Sequence, residues 1–450
     1  MTPGERWRYL GSLRFWLTPG MGVKRHVAWA VGGALLLVLG TTGVVLWALA
    51  EGRQVVAQPI ENVLAGAPWR RVGGWVSLGS MLLGSGLAIA AVGRLNRSLL
   101  SNWTERPYEA AQVIHRRVRL ARGPSVVALG GGSGLSNLLR GLREHTSNLT
   151  AVVAVSDDGG SSGRLRAAFD MPAPGDLTDC LAALSDHESE LTPLLQYRFE
   201  RGGELTGHTF GNLLITTLTE VQGDFADALR LLNRLLNLSG SVYPATPQPV
   251  TLEVTKVGGE VVQGESRMRE VGGAVRSAAI SPVAPEGLPE VEHALMTADL
   301  VVLGPGSLFS STLPPLLVPS VAAALRASPT TLVYVVNIMT EAGETNGFDA
   351  FEHVQALVAH GCRWPDVVVV NATPVDAARR AKYREEGADV VDPAVARFAE
   401  AGVSVVSLPL LSDGAFAQHD SGRLAEALIG IAKRHARRRT RPAGTVEVAS

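Results

Sequence analysis

Ser125 to Arg164 reads SVVALGGGSGLSNLLRGLREHTSNLTAVVAVSDDGGSSGR, and its pattern changes period three times. The apolar run Val126-Val127-Ala128-Leu129 breaks into Gly130-Gly131-Gly132-Ser133-Gly134. Leu135, Leu138, Leu139 and Leu142 then recur at i, i+3, i+4 and i+7, the spacing of one helix face. A second apolar run, Val152 to Val155, ends in Ser156-Asp157-Asp158-Gly159-Gly160-Ser161-Ser162-Gly163-Arg164. The order is strand, glycine turn, helix, strand, then a second glycine loop carrying carboxylates and hydroxyls. Glycines let backbone N–H groups approach an anion, and the helix N-terminus adds its partial positive charge, so the unit suits a ligand with phosphates. The alternative is a tight strand-to-helix turn without a ligand. The loop is neither G-x-G-x-x-G nor G-x-x-x-x-G-K-[ST], which counts against an NAD-binding protein.

The chain has 450 residues, room for one large domain or two. Its net charge of −1 gives no sign of a nucleic-acid partner. Two cysteines, Cys180 and Cys362, stand far apart, which excludes a disulfide framework or a zinc spacing. Upstream, Val27 to Ala50 and Val72 to Gly93 carry no charge. Both match the ~20 apolar residues of a membrane span and exceed a signal-peptide core, although Ala48-Leu49-Ala50 resembles a cleavage site. A buried soluble hairpin is the other reading. Arg6, Arg8, Arg14, Lys24 and Arg25 precede the first span, and Arg94, Arg97, Arg106, Arg116, Arg117, Arg119 and Arg122 follow the second. This bias puts both ends in the cytoplasm. The expected organisation is a cytoplasmic segment 1–26, spans 27–50 and 72–93 joined by an external loop 51–71, a basic connector 94–122, a soluble domain 123–434 and a basic disordered tail 435–450.

Within the soluble domain, Pro172-Ala173-Pro174-Gly175-Asp176 marks a helix start with Asp176 as its expected cap, and Asp224 is expected to cap another. Residues 250–263 alternate as a hairpin turning at Gly258-Gly259. Unbroken apolar runs resume at Leu300–Leu303, Leu332–Val336, Val367–Val370 and Val403–Leu408, as in strands covered on both faces. Their small or polar ends belong at the ligand edge of an open sheet. The expected fold is α/β: a Rossmann-like, doubly wound, mostly parallel sheet with a small β-hairpin insertion, preceded by two transmembrane helices.

The ordered set GGGSGL, SDDGGSSGRLR, PGDLTDCLAAL, GHTFGNL, GES, GPGSLFSS and NIMTEAGET resembles the YvcK/CofD-like family, and its YvcK branch of gluconeogenesis factors more closely. The likeness covers 123–434. It implies a protein that binds UDP-N-acetylglucosamine and acts in cell-wall precursor supply, gluconeogenic growth and cell shape, without an established reaction. The CofD branch implies instead a transferase moving a phospholactyl group from a nucleoside-diphosphate donor with Mg²⁺. Members of the YvcK branch are commonly soluble, so a membrane hairpin is a departure. Others are Ser133 for Thr, Thr178-Asp179 for Arg-Asn, and Phe309 for Tyr.

On this reading Gly131, Gly132, Ser133 and Gly134 wrap the diphosphate. Asp157 and Asp158 bind sugar hydroxyls, hold Mg²⁺ under the transferase reading, or cap the next turn. Ser161, Ser162 and Gly163 offer anion donors, and Arg164 a charged bond to phosphate or a surface salt bridge. His208 is a general base or a structural hydrogen bond, and Asn212 a contact to uracil or a sugar amide. Gly304, Gly306 and Ser307 form a second loop, and Asn337, Thr340, Glu341 and Glu344 line the crevice. No classical nucleophile arrangement emerges among the loop serines and threonines. The expected partners are a nucleotide sugar, the membrane, a protein of envelope synthesis and a second copy of the chain.

Overall fold

Apolar runs that end in glycine set the layers. The computed structural model describes residues 23–51, 69–100 and 110–440. Strands β1 (Val126–Gly130), β2 (Leu149–Val153), β3 (Ser241–Pro244), β7 (Leu300–Leu303), β8 (Thr331–Val335), β9 (Val367–Asn371) and β10 (Ser404–Leu408) form one parallel sheet of seven strands, ordered β10-β9-β8-β7-β1-β2-β3. Every residue of β1, β7 and β8 is buried, the condition under which an unbroken Val/Leu strand is stable. β1 pairs on both sides, Val126 standing opposite Leu149 of β2 and Leu300 of β7. The chain winds outward through β2 and β3, returns across β1, and winds the other way through β7 to β10. The winding reverses between β1 and β7, where an open α/β sheet places its ligand crevice.

The helix Gly132–Leu142 buries Leu135, Leu138, Leu139 and Leu142 completely, each burial supplying about 2 kcal/mol. It lies against the last helix, Ser421–Thr440, and against Gly175–Leu184. Asp224 caps its helix as expected, its carboxylate accepting from the Asp227 N–H at 2.8 Å. The expected hairpin is larger than read. β4 (Thr251–Lys256) pairs antiparallel with β5 (Val261–Gln263) and also with β6 (Val275–Ser281), giving three strands. β3 escapes a reading based on apolar runs because it is an edge strand of four residues that buries only alternate side chains.

Two further expectations change. The last helix runs through Thr440, so 435–440 are helical rather than part of a disordered tail. In the helix Gly175–Leu184 the cap position belongs to Pro174, and Asp176 sits in the first turn. Segments 1–22, 52–68, 101–109 and 441–450 lie outside the described residues, and with them most of the expected external loop, N-terminal segment and tail.

The N-terminal unit is a pair of long helices, Val23–Glu51 and Trp69–Leu100. Windows at His26–Ala48 and Gly73–Leu95 have mean hydropathy 2.0 and 1.7, and only 11% of each is buried. Both helices are therefore long and apolar enough to cross a membrane. Large apolar side chains face outward, Trp75, Leu39 and Ile89 among them. The helices meet over small residues: a Cβ at Gly40 would come within 2.6 Å of the Met81 nitrogen, and one at Gly84 equally close to that of Leu37. Close backbone approach over small residues is how helices associate in lipid.

Candidate functional site

The strand ends at the switch point open onto a cleft of about 530 Å³. Its centre is built by two opposed loops. After β1, Gly131 is extended, Gly132 takes φ +60° and the helix Gly132–Leu142 begins. After β7, Gly304-Pro305-Gly306-Ser307 faces it. The loops press together at one point: a Cβ on Gly134 would stand 2.4 Å from the Pro305 carbonyl oxygen and 3.1 Å from Gly306 Cα. Asn337, at the end of β8, holds the second loop on both sides of one residue. Its Oδ1 accepts from the Gly306 N–H at 3.0 Å, and its Nδ2 donates to the Gly306 carbonyl at 2.9 Å and to Glu341 Oε1 at 2.9 Å.

Of the residues singled out in the sequence, Gly131, Gly132, Ser133, Gly134, Asp157, Gly306, Ser307, Asn337, Thr340 and Glu341 line this cleft. The others lie off it. Asp158 turns away from Asp157: its Oδ1 accepts from the Ser266 N–H at 2.9 Å, whereas Asp157 Oδ1 takes the Gly159 N–H at 2.9 Å. Of the expected Asp157–Asp158 pair, only Asp157 lines the cleft. Ser161 is a buried junction. Its Oγ is 3.0 Å from His208 Nδ1 and accepts from Asn212 Nδ2 at 3.1 Å, while Ser162 Oγ also accepts from Asn212. Burial and the nearby Arg164 and Arg198 lower the His208 pKa, which favours the neutral imidazole, and the ring does not line the cleft. Gly163 lies within the helix Gly160–Phe169, packed on the Asp158 carbonyl, and Arg164 donates to the Thr206 carbonyl at 3.0 Å. Glu344 is fully buried behind the cleft, accepting from the Phe309 N–H and from Ser310 Oγ at 2.8 Å. Gly304 supports its loop from behind, with φ +71°.

Sequence reasoning missed a ring of polar residues that distant segments bring to the cleft beside Glu341: Asp176, Glu265, Arg269, Gln418 and His419. Asp176 reaches the start of the helix Gly132–Leu142, where it accepts from the Gly132 N–H. Burial, with Asp157 and Asp179 nearby, nevertheless raises its pKa to about 7. Burial raises Glu265 to about 8 against the pull of Arg269, which pairs with it at 2.6 Å. Burial and Glu344 raise Glu341 to about 7. Carboxyls from four elements thus share one enclosure with Arg269, a setting in which like charges resist ionisation.

Lys256 anchors this side. Its buried ammonium donates to the carbonyls of Met268 (2.9 Å), Gly273 (3.1 Å) and Gly343 (2.6 Å), tying the helix Glu265–Val271 to the loop of Glu341. Lys256→Met is expected to leave three carbonyls without this donor and to cost about 3 kcal/mol, with Lys256→Arg no rescue because a planar fork does not match the three acceptors. Denaturant melts of the two variants check this.

The family model for 2-phospho-L-lactate transferase CofD matches residues 126–411. The gluconeogenesis factor of Bacillus subtilis is 39% identical over 316 residues, covering 70% of this chain and all of the relative. A relative from Deinococcus radiodurans that carries the gluconeogenesis-factor name is 41% identical over 433 residues, covering 93% of this chain and 89% of its own. That is more than the globular unit alone supplies, so the likeness extends into the N-terminal helices and these are not peculiar to this chain. A crystal structure of a UPF0052-family protein from Bacillus halodurans superimposes with TM-score 0.66 at 39% identity, covering 68% of this chain and about all of that one. The chain belongs to the CofD/YvcK family, alongside its members named gluconeogenesis factors.

Proposed function

We propose that this protein binds a nucleoside-diphosphate sugar, UDP-N-acetylglucosamine in the first place, and regulates cell-wall precursor supply, gluconeogenic growth and cell shape from the inner face of the cytoplasmic membrane. The observation that carries the reading is the glycine-lined start of the helix Gly132–Leu142 opening on the switch-point cleft, opposite the Gly304–Ser307 loop. Backbone N–H groups there suit a diphosphate. Asp157 and Glu265 beside it suit sugar hydroxyls. No group of the cleft is arranged as an activated nucleophile, since Ser161 and His208 lie in a buried junction off it. The two apolar helices, with the arginine bias around them, support a hairpin anchor that keeps the domain in the cytoplasm.

The crowding of carboxyls favours a second reading, a CofD-like transferase using Mg²⁺. Among the described residues no three His, Cys, Asp or Glu stand ready to hold a metal ion. Mg²⁺ is usually held by one or two carboxylates plus substrate phosphates. Asp157 and Asp176 fit that role, and the ion would offset charge on the diphosphate. Calorimetric titration of the full-length protein in detergent micelles with UDP-N-acetylglucosamine, with and without Mg²⁺, followed by recovery of the ligand, separates the readings. Saturable binding with intact ligand is expected. Cleaved ligand, or binding only of a guanosine-diphosphate-linked donor, would move the assignment to the transferase.

A further inference from the structure

The two N-terminal helices meet in a fixed antiparallel register. A Cβ on Gly33 would stand 2.8 Å from the Ala88 nitrogen, and one on Gly40 2.6 Å from the Met81 nitrogen. Each step back along the first helix is matched by one step forward along the second, so His26 comes level with Leu95, beside Arg94. The apolar windows His26–Ala48 and Gly73–Leu95 share this end, which the arginine bias places at the cytoplasmic face. Two hollows open there. One, of about 380 Å³, is lined by His26, Trp29, Leu87, Ala91 and Arg94. The next, of about 410 Å³, is lined by Ala28, Trp29, Gly32, Gly33, Leu36 and Leu87, none of them charged. They meet at Trp29 and Leu87, which belong to both. Trp29 is half exposed, an amphipathic ring of the kind that settles at headgroup level. The helix Val23–Glu51 carries no acidic residue before Glu51 at its far end, and the helix Trp69–Leu100 carries none. Arg94 and His26 therefore have no carboxylate to answer them in this part of the hairpin.

We infer that this end of the hairpin binds one anionic phospholipid of the cytoplasmic leaflet, its phosphate on Arg94 and His26 and an acyl chain along Gly32, Gly33 and Leu36. The inference rests on the reading of the two helices as a membrane anchor. A guanidinium takes phosphate oxygens in pairs, and basic pockets between helices at the cytoplasmic interface suit anionic headgroups. Gly32 makes the groove, since nothing lies within 4 Å of where its Cβ would stand. From His26 to Leu36 the helix rises about 15 Å, half of a hydrocarbon core of about 30 Å and so the depth of one leaflet. A soluble phosphate ester would use the cations and not the groove. A neutral lipid would use the groove and leave the cations unanswered.

The test is native mass spectrometry of the full-length protein in detergent micelles, with phosphatidylglycerol and phosphatidylcholine offered at equal concentration. One phosphatidylglycerol per chain is expected to be retained, at least about tenfold in preference to phosphatidylcholine. Arg94→Gln is expected to weaken its retention at least about tenfold, through loss of charged hydrogen bonds to the phosphate. Arg71→Gln removes the same charge about 35 Å away along the same helix, well beyond a Debye length, and is expected to change retention less than about twofold. Gly32→Leu keeps both cations and fills the groove. It is expected to weaken retention about tenfold, the loss that follows when about two methylenes leave the groove. Unaltered retention by Gly32→Leu would leave a phosphate site without a chain and overturn the lipid assignment. Equal losses in Arg94→Gln and Arg71→Gln would reduce the effect to diffuse attraction and overturn the site. Equal retention of the two lipids by the wild type would overturn the inference and leave the anchor standing. Release of the full-length protein from membranes by alkaline carbonate would overturn the anchor reading, and the inference with it.

Discussion

Gly134→Ala is expected to weaken nucleoside-diphosphate binding at least about 100-fold, a loss of about 2.7 kcal/mol, measured by calorimetry on the full-length protein. The added methyl group would stand 2.4 Å from the Pro305 oxygen and 2.8 Å from the Pro305 carbonyl carbon. Both belong to backbone, so no side chain can swing aside, and the two loops must part. Asn337 resists that movement, since it bonds both the N–H and the carbonyl of Gly306. Overpacking of this kind costs about 1–3 kcal/mol of stability. The affinity loss is the larger effect because parting the loops widens the place where both must touch one diphosphate. Gly132→Ala is the control. Gly132 has φ +60°, but the nearest atom to an added Cβ is Ser311 Oγ at 4.0 Å. That variant bears backbone strain of about 1–2 kcal/mol without pushing the loops apart. Equal affinity losses in the two variants would show that loop apposition is not what the site depends on.

The difference between these two glycines marks what the sequence reveals. Gly131 to Gly134 are legible because an unbroken buried strand must exit through a turn, and the leucine spacing fixes where the helix starts. Asn337 is legible for the same reason, as the polar residue closing a buried strand. That Gly134 touches Pro305 is not legible, because it depends on β1 and β7 being neighbours, and strand order is a tertiary fact. Asp176 was open to misreading: a Pro-Gly-Asp helix start looks like a cap, yet the carboxyl serves the start of another helix. Glu265, Arg269 and His419 come from a small antiparallel insertion and from the segment before the last helix, and neither carries a periodicity that points to the cleft. Ser161, Ser162, Asn212 and His208 fail in the opposite direction. Their residue types suit ligand binding, but buried polar groups must also satisfy one another, and here they do.

Asp176→Asn is expected to stabilise the ligand-free protein at pH 8 and to change it little near pH 4. The sign follows from the acid's raised pKa. In the unfolded chain the carboxyl ionises near its ordinary 3.8, whereas in the fold it holds its proton up to about 7. Between those values the folded state binds more protons than the unfolded state, so stability falls as pH rises through the interval and levels off above it. At 1.36 kcal/mol per pH unit, the full interval corresponds to about 4 kcal/mol. Glu265 and Glu341 contribute a slope of the same sign, so the variant retains part of it. Asparagine keeps an oxygen that can accept from the Gly132 N–H and removes the charge. Thermal melts from pH 4 to 9 measure the slope, and a slope unchanged in the variant would remove Asp176 as its source. The same variant separates the two readings of function. A carboxylate at the start of the helix Gly132–Leu142 stands where a phosphate would bind and repels it. If the site takes the diphosphate without a metal, removing that charge is expected to tighten binding about tenfold, or 1.4 kcal/mol. If Asp176 instead holds a cation that the diphosphate shares, the variant is expected to weaken Mg²⁺-dependent binding by a similar factor while leaving metal-free binding unharmed. The direction of the change, read with and without Mg²⁺, decides whether the carboxyl competes with the ligand or recruits it.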